Sequence, residues 1–317
     1  MKGAKQTTLR DHTAVFGVGV HSGLSATVTL HPADPDSGIT FLRTATADRP
    51  EREIKADVRA VTATEFATVL GDSTGPLCST AEHLLAALRG LGVDNVLVEI
   101  DGSEVPIMDG SAAPFVAAID QVGIVAQSAP RRCIEVLKPV RVIKGDGVGE
   151  LRPYSHGFRV EAEIEFSNKL IGKQSFALDV DPASFRRELS RARTFGFMRD
   201  VATLWKAGYA LGASFENTLV VTDDRILNPA GLRYSDEFVR HKVLDALGDL
   251  ALAGAPLLGL YSTSKGGHRL NHAVLSALMA DRTAWRLIDM PSAKPRIRGH
   301  ADVATGLVAP AYGPEVS

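Results

Sequence analysis

The chain has 317 residues, 45% of them hydrophobic and 23% charged, the balance of an ordinary globular protein of about two domains and not of a disordered, collagenous or coiled-coil chain. Lys and Arg number 35 against 37 Asp and Glu, a net charge of −2, so no basic excess exists to grip a phosphate backbone and nucleic acid is not expected as the main partner. The two cysteines, Cys78 and Cys133, are too few for a disulfide framework or a cysteine-built zinc site and fit a reducing compartment.

The first residues carry no apolar signal stretch, and the longest apolar run, 251–261, falls short of the ~20 residues a membrane span needs. A cytoplasmic protein without stable membrane insertion is predicted, large enough to bury two separate cores without a structural metal.

Along the chain, alternation over 24–30 predicts a strand, followed by turn chemistry at 31–36. A helix is predicted over 79–89, a strand over 95–100, and a second helix over 112–119 opened by Asp109-Gly110-Ser111. The small, polar and proline residues of 125–132 read as a domain boundary. Strands then fill much of 134–166, helices are predicted over about 182–193 and 235–252, strands over 218–222 and 257–261, and a last helix begins near Asn271. Strands and helices mix without a βαβ rhythm, which argues for antiparallel or mixed sheets packed on helices, with the second half weakly repeating the plan of the first.

Three places could carry chemistry. On the helix over 235–252, His241, Asp245 and Asp249 follow one another at intervals of four, so His241 and Asp245 can reach one cation together; a solvated hydrogen-bonded pair has the same spacing. Ser79 and Glu82 match the S-x-x-E capping box, which offers Glu82 a purely structural role, while a functional reading gives His83 to a metal and points Glu82 at its water. The paired glycines before His268 set that histidine at a helix N-terminus, on a loop and not in a core. No phosphate-loop or dinucleotide glycine spacing occurs, and the other histidines show no ligand spacing, with His21 held in reserve.

Taken together, Ser79-Thr80-Ala81-Glu82-His83, Ile107-Met108-Asp109-Gly110-Ser111-Ala112, Ala192-Arg193-Thr194-Phe195-Gly196-Phe197, Phe238-Val239-Arg240-His241-Lys242-Val243-Leu244-Asp245 and Gly267-His268-Arg269-Leu270-Asn271 resemble the UDP-3-O-acyl-N-acetylglucosamine deacetylases of bacterial lipid A synthesis. The resemblance runs from about residue 6 to about 286; the tail after 291, with Lys294 to Arg298, matches nothing. It implies an α+β fold of two similar two-layer domains, each a mixed sheet packed on two helices, with the active site between them. The domains would be 1–127 and 128–317, the second carrying an inserted substrate-channel segment.

The resemblance further implies one zinc ion per chain, held by His83, His241 and Asp245. Glu82 would be the general base, His268 the general acid, Thr194 an aid to the oxyanion, Lys242 a neighbour of the ligands, and Asp249 the residue that orients or tunes His268. The implied reaction removes the N-acetyl group of an acylated UDP-sugar, UDP-3-O-((3R)-3-hydroxyacyl)-N-acetylglucosamine, the committed step of lipid A biosynthesis. Phe195, Phe197 and Leu211 are candidates for an acyl channel, with Met198 and Leu204 in the same segment; the alternative is that these residues form the core of an inserted helix. A monomer would suffice. Two other readings remain open from sequence: a binding protein of the same fold, and a zinc amidase for a different N-acyl sugar. Iron would accept the same donors as zinc.

Overall fold

The computed structural model describes residues 4–47 and 50–290; the C-terminal tail, with Lys294 to Arg298 and His300, lies outside the described residues. In the first half the strands are β1 (Lys5–Leu9), β2 (Thr13–Val18), β3 (Ser25–Pro32), β4 (Ile39–Arg43), β5 (Arg52–Lys55), β6 (Val61–Ala63), β7 (Val69–Asp72), β8 (Gly75–Cys78), β9 (Val96–Ile100) and β10 (Ile124–Pro130). In the second half they are β11 (Arg132–Val136), β12 (Val140–Lys144), β13 (Gly147–Arg152), β14 (Phe158–Glu165), β15 (Lys173–Val180), β16 (Phe195–Phe197), β17 (Leu219–Val221), β18 (Leu257–Ser264) and β19 (Trp285–Asp289). The helices are α1 (Glu82–Leu91), α2 (Ala113–Val122), the single turn α3 (Pro182–Ser184), α4 (Val201–Lys206), α5 (Glu237–Leu250) and α6 (His268–Ala280). None of them is long and apolar enough to cross a membrane.

The fold is α+β. One five-stranded sheet, in the order β2-β3-β9-β4-β5, is built from the first half, and a seven-stranded sheet centred on β18 from the second. Both are mixed: β4 runs parallel to β9, and β11 and β14 run parallel to β18, while the remaining pairs are antiparallel. Helix α2 packs on β2 and α1, α5 packs on β14 and β15, and α6 on β12 and β13. Helices α1 and α5 pack directly on each other.

That contact is possible because residue 248 is glycine: a Cβ there would lie 2.0 Å from the carbonyl oxygen of Glu82. The apolar residues of both halves therefore form one continuous core, from Val28 and Phe41 through Leu84 and Leu247 to Val160 and Tyr261, in place of the two separate cores expected. The predicted boundary at 125–132 is also strand. Its residues form β10, which pairs antiparallel with β1, and continue after Arg131 into β11. The residues that read as linker composition lie in a two-stranded ribbon, where a half-exposed ladder needs no apolar run. The helix predicted over 182–193 is shorter, a capped turn followed by one wide turn ending at Leu189.

Candidate metal centre and acid–base pair

Helix α1 does not begin as the capping box requires. Strand β8 ends at Cys78, the Ser79 N–H bonds the carbonyl of Ser103, and Thr80 takes a left-handed φ of 58°, so the helix starts at Glu82 after an uncapped Ala81. Glu82 is 3% exposed, and its Oε2 accepts the N–H of Thr68 at 3.0 Å. The structural role that the capping box offered it is absent, and burial raises its pKa against the opposing pull of His268 and His83.

One residue on, His83 faces α5 across the close helix crossing. The nearest ligating atoms of His83, His241 and Asp245 all lie within 4.8 Å of one another, and all three residues are buried, so the solvated-pair reading of His241 and Asp245 does not hold. His83 Nε2 stands 3.5 Å and His241 Nε2 3.2 Å from Asp245 Oδ1. His241 Nδ1 donates to the Ala192 carbonyl at 3.0 Å, which fixes the tautomer and turns the Nε2 lone pair toward Asp245 Oδ1. Burial pushes the His241 imidazole down to about 3, more than the Asp245 charge can offset, so it is neutral at ordinary pH.

Asp245 Oδ1 is buried and accepts no hydrogen bond, while Oδ2 pairs with Lys242 Nζ at 2.9 Å. Burial alone would raise this carboxyl, yet His241 and Lys242 hold it well below the usual range. A buried carboxylate oxygen without a hydrogen bond, facing the His241 lone pair and 3.5 Å from His83 Nε2, is an arrangement that a cation relieves, and two imidazoles with one carboxylate are a donor set suited to a divalent transition metal. His83 Nδ1 is likewise buried without a hydrogen-bond partner.

The second group is centred on Asp249, one turn beyond Asp245 and 2% exposed. Its Oδ2 accepts His268 Nδ1 at 2.9 Å and Asn271 Nδ2 at 2.8 Å, and its Oδ1 accepts the Thr68 hydroxyl. His268 is the first residue of α6 but is 9% exposed, so it is buried where a loop position was expected. Burial would depress it; the charges of Asp249 and Glu82 prevail and push its pKa up to about 10. With Nδ1 committed to Asp249, its Nε2 points toward Glu82 Oε1, 3.8 Å away.

Thr194 precedes β16. Its N–H bonds the carbonyl of Gly110, whose φ of 83° and distance from Asn217 leave no room for a side chain, and its carbonyl accepts from Leu219. The segment is fixed to α5 by a buried pair: Arg193 N and Nε both donate to Glu237 Oε1, at 3.0 and 2.9 Å. Phe195 and Phe197 join Phe166 and Phe238 in an aromatic cluster next to His241, with the Lys242 ammonium 5.7 Å over the Phe195 ring. Leu211 is not part of that cluster. It is 54% exposed and bonds through its N–H to the His21 carbonyl. Helix α4 has no buried residue and Met198 is 51% exposed, so α4 is not a core helix, while Phe195 and Phe197, on β16, are partly buried and pack against the core.

The sequence reading missed Thr68, which holds Glu82 with its N–H and Asp249 with its hydroxyl, and it gave no role to Asn271, Arg193 or Glu237. Asn271 and Arg193 lie inside two of the motifs that carry the family resemblance, whereas Glu237 and Thr68 lie outside them.

The sequence profile of the UDP-3-O-acyl N-acetylglycosamine deacetylases matches residues 6–280. Proteins named UDP-3-O-acyl-N-acetylglucosamine deacetylase from Brucella ovis, Brucella suis and Brucella melitensis are each 52% identical over 287 residues, covering 90% of this chain and 99% of the relative.

Proposed function

The chain belongs to the UDP-3-O-acyl N-acetylglycosamine deacetylase family, and from that premise we propose that it is a zinc-dependent amidohydrolase that removes acetate from a UDP-3-O-acyl-N-acetylglucosamine in lipid A biosynthesis. The observation that carries the metal is the convergence of His83, His241 and Asp245 on an unpartnered carboxylate oxygen, beside Glu82 and the Asp249–His268 pair. Zinc held by the three side chains would lower the pKa of a water toward ~7 and polarise the amide carbonyl.

The chain's own groups supply the proton traffic. Glu82 has one oxygen committed to the Thr68 N–H, leaving Oε1 to take a proton from water during attack on the acetamide. An amide nitrogen leaves only when protonated, and His268, held cationic by Asp249, carries that proton on Nε2 on the other side of the same space. Thr194 donates its hydroxyl to the developing oxyanion, Lys242 neutralises the remaining charge of Asp245, and the Phe195–Phe197 cluster begins an apolar path for the acyl chain, with Leu211 at an exposed position along it.

The same reading divides the chain near residues 127 and 128, a point that falls within β10. It needs no second copy, since all these groups come from one chain. It also sets the enzyme in the cytoplasm, a location that the two free, buried thiols of Cys78 and Cys133 suit.

The test is acetate release from UDP-3-O-acyl-N-acetylglucosamine by the purified chain as prepared, after chelation, and after zinc is returned. Release that stops on chelation and resumes with zinc is the expected result. No release from metal-loaded protein would refute the proposed activity, and release that chelation leaves intact would refute the metal.

A further inference from the structure

A cleft of about 870 Å³ opens elsewhere in the molecule, between the loop after β5 in the first half and the end of α6 with β19 in the second. None of the proposed metal or acid–base residues lines it. Arg89, which does, lies six residues beyond His83 on α1, about 9 Å along the helix axis. Six cationic side chains line the cleft, Lys55, Arg59, Arg89, Arg131, Arg132 and Arg282, against three carboxylates, Asp36, Asp57 and Asp94. The charges do not cancel where the wall is most buried. Arg131 Nε at 2.9 Å and Arg89 Nη1 at 3.9 Å share the single oxygen Oδ1 of Asp94, whose other oxygen accepts the N–H of Thr7.

Arg89 is the anomaly. Its side chain is 10% exposed, and Nε and Nη1 are buried without hydrogen-bond partners. Burial pushes its pKa down to about 10 against the pull of Asp94, so it keeps its charge at neutral pH. Asp94 answers this charge only at 3.9 Å and is shared with Arg131, so the buried guanidinium is incompletely compensated. Trp285, which also lines the cleft, has a buried and unpartnered Nε1, and the Arg282 guanidinium stacks 5.0 Å over its ring. Between them the wall is apolar, with Val58, Ile134, Leu252 and Met279.

Arg131 also donates Nη2 to the Gly92 carbonyl, which leaves its Nη1, with Arg89 Nη2, as the terminal nitrogens not engaged within the protein. We propose that this cleft is a second ligand site, for a small organic phosphate whose phosphoryl oxygens take those two terminal nitrogens and whose organic body lies along Met279 and Trp285. A net excess of positive charge asks for more than the one charge of a carboxylate, and guanidinium forks match phosphate oxygens. The volume lies within the range of sites that enclose a small molecule. Because Arg89 lies on α1 in the first half while Met279 lies on α6 and Trp285 on β19 in the second, an occupant that touches all three would bridge the two halves.

The test is calorimetric titration of the zinc-loaded full chain with phenyl phosphate and with inorganic phosphate, with Trp285 fluorescence followed in a Trp205→Phe background. One saturable site is expected, with phenyl phosphate bound more tightly than phosphate and with a matching fluorescence change. Lys55→Glu on the rim and Arg89→Met in the wall should each weaken it about tenfold or more, while Lys242→Ala should leave it unchanged. Lys55→Glu settles the matter if Arg89→Met fails to fold. The proposal is overturned by absence of saturation at millimolar ligand, by binding indifferent to Lys55→Glu, by binding lost with Lys242→Ala, or by equal affinity for the two ligands. Vesicles of phosphatidic acid should not bind; capture on them that Lys55→Glu abolishes would assign the cleft to a lipid headgroup and refute the small-molecule reading.

Discussion

Gly248→Ala tests whether the α1–α5 crossing builds the proposed metal centre. A methyl at 248 would lie 2.0 Å from the Glu82 carbonyl oxygen, 2.7 Å from its carbon and 3.0 Å from its Cα. All three are backbone atoms, so no rotamer change relieves the clash and the helices must separate by about 1.4 Å to reach ordinary contact. Overpacking of this kind costs about 1–3 kcal/mol, while alanine gains up to about 1 kcal/mol over glycine in helix propensity. With the full propensity gain, a net destabilisation of about 0–2 kcal/mol follows. The functional effect should be larger than that figure suggests, because His83 rides on α1 and His241 and Asp245 on α5. Bonds from zinc to imidazole nitrogen are about 2.0–2.1 Å long, so a shift of more than an ångström breaks the coordination. Zinc content after dialysis, acetate release and the thermal midpoint should be measured together. Gly90→Ala serves as the comparison, since its methyl would meet the Phe185 ring on another face of α1 and would destabilise without driving α1 from α5. If Gly248→Ala keeps its zinc and its activity, the close crossing is not what assembles the site.

Three further outcomes follow from the same geometry. Asp249→Asn removes the nearest charge that holds His268 up at about 10; the proton donor is active below its pKa, so the alkaline limb of the kcat profile should move to lower pH by about one unit or more, and an unmoved limb would refute the pairing. Glu82→Gln keeps an acceptor for the Thr68 N–H and should fold normally, yet turnover should fall by about 10²–10⁴; near-normal turnover would return Glu82 to a structural role. Thr194→Ala should lower kcat by about 10²–10³ with little change in KM, whereas a change confined to KM would place the hydroxyl on the substrate and not on the oxyanion.

What could be read from the sequence was what helical periodicity enforces. His241, Asp245 and Asp249 fall on one face of α5 because of their spacing alone, and the structure brings them to two adjoining centres. The capping box misled because Ser79 and Glu82 have the right spacing in a chain that is not yet helical at Ser79; a left-handed Thr80 and a bond to Ser103 decide the matter, and neither is visible in the residue string. His268 followed two glycines and read as loop, but packing of α6 against α5 buries it. Thr68 was out of reach for a different reason: its partner Asp249 is 181 positions away, and a threonine after an alanine announces nothing. The strand at 124–130 was hidden by its composition, since an edge ribbon paired only with β1 tolerates the small and polar residues that otherwise mark a linker.

The bond from His241 Nδ1 to the Ala192 carbonyl has a genetic consequence. A tautomer guarded by a side chain can be lost through one codon, but every amino acid at position 192 brings the same carbonyl oxygen. Direct substitution cannot abolish this acceptor; only displacement of the main chain can. The vulnerable positions are therefore Arg193 and Glu237, whose buried pair fixes the path of that backbone. A mutational scan for loss of metal should register both as strongly as the ligands themselves and leave conservative changes at Ala192 silent, although neither charged residue reaches the metal centre.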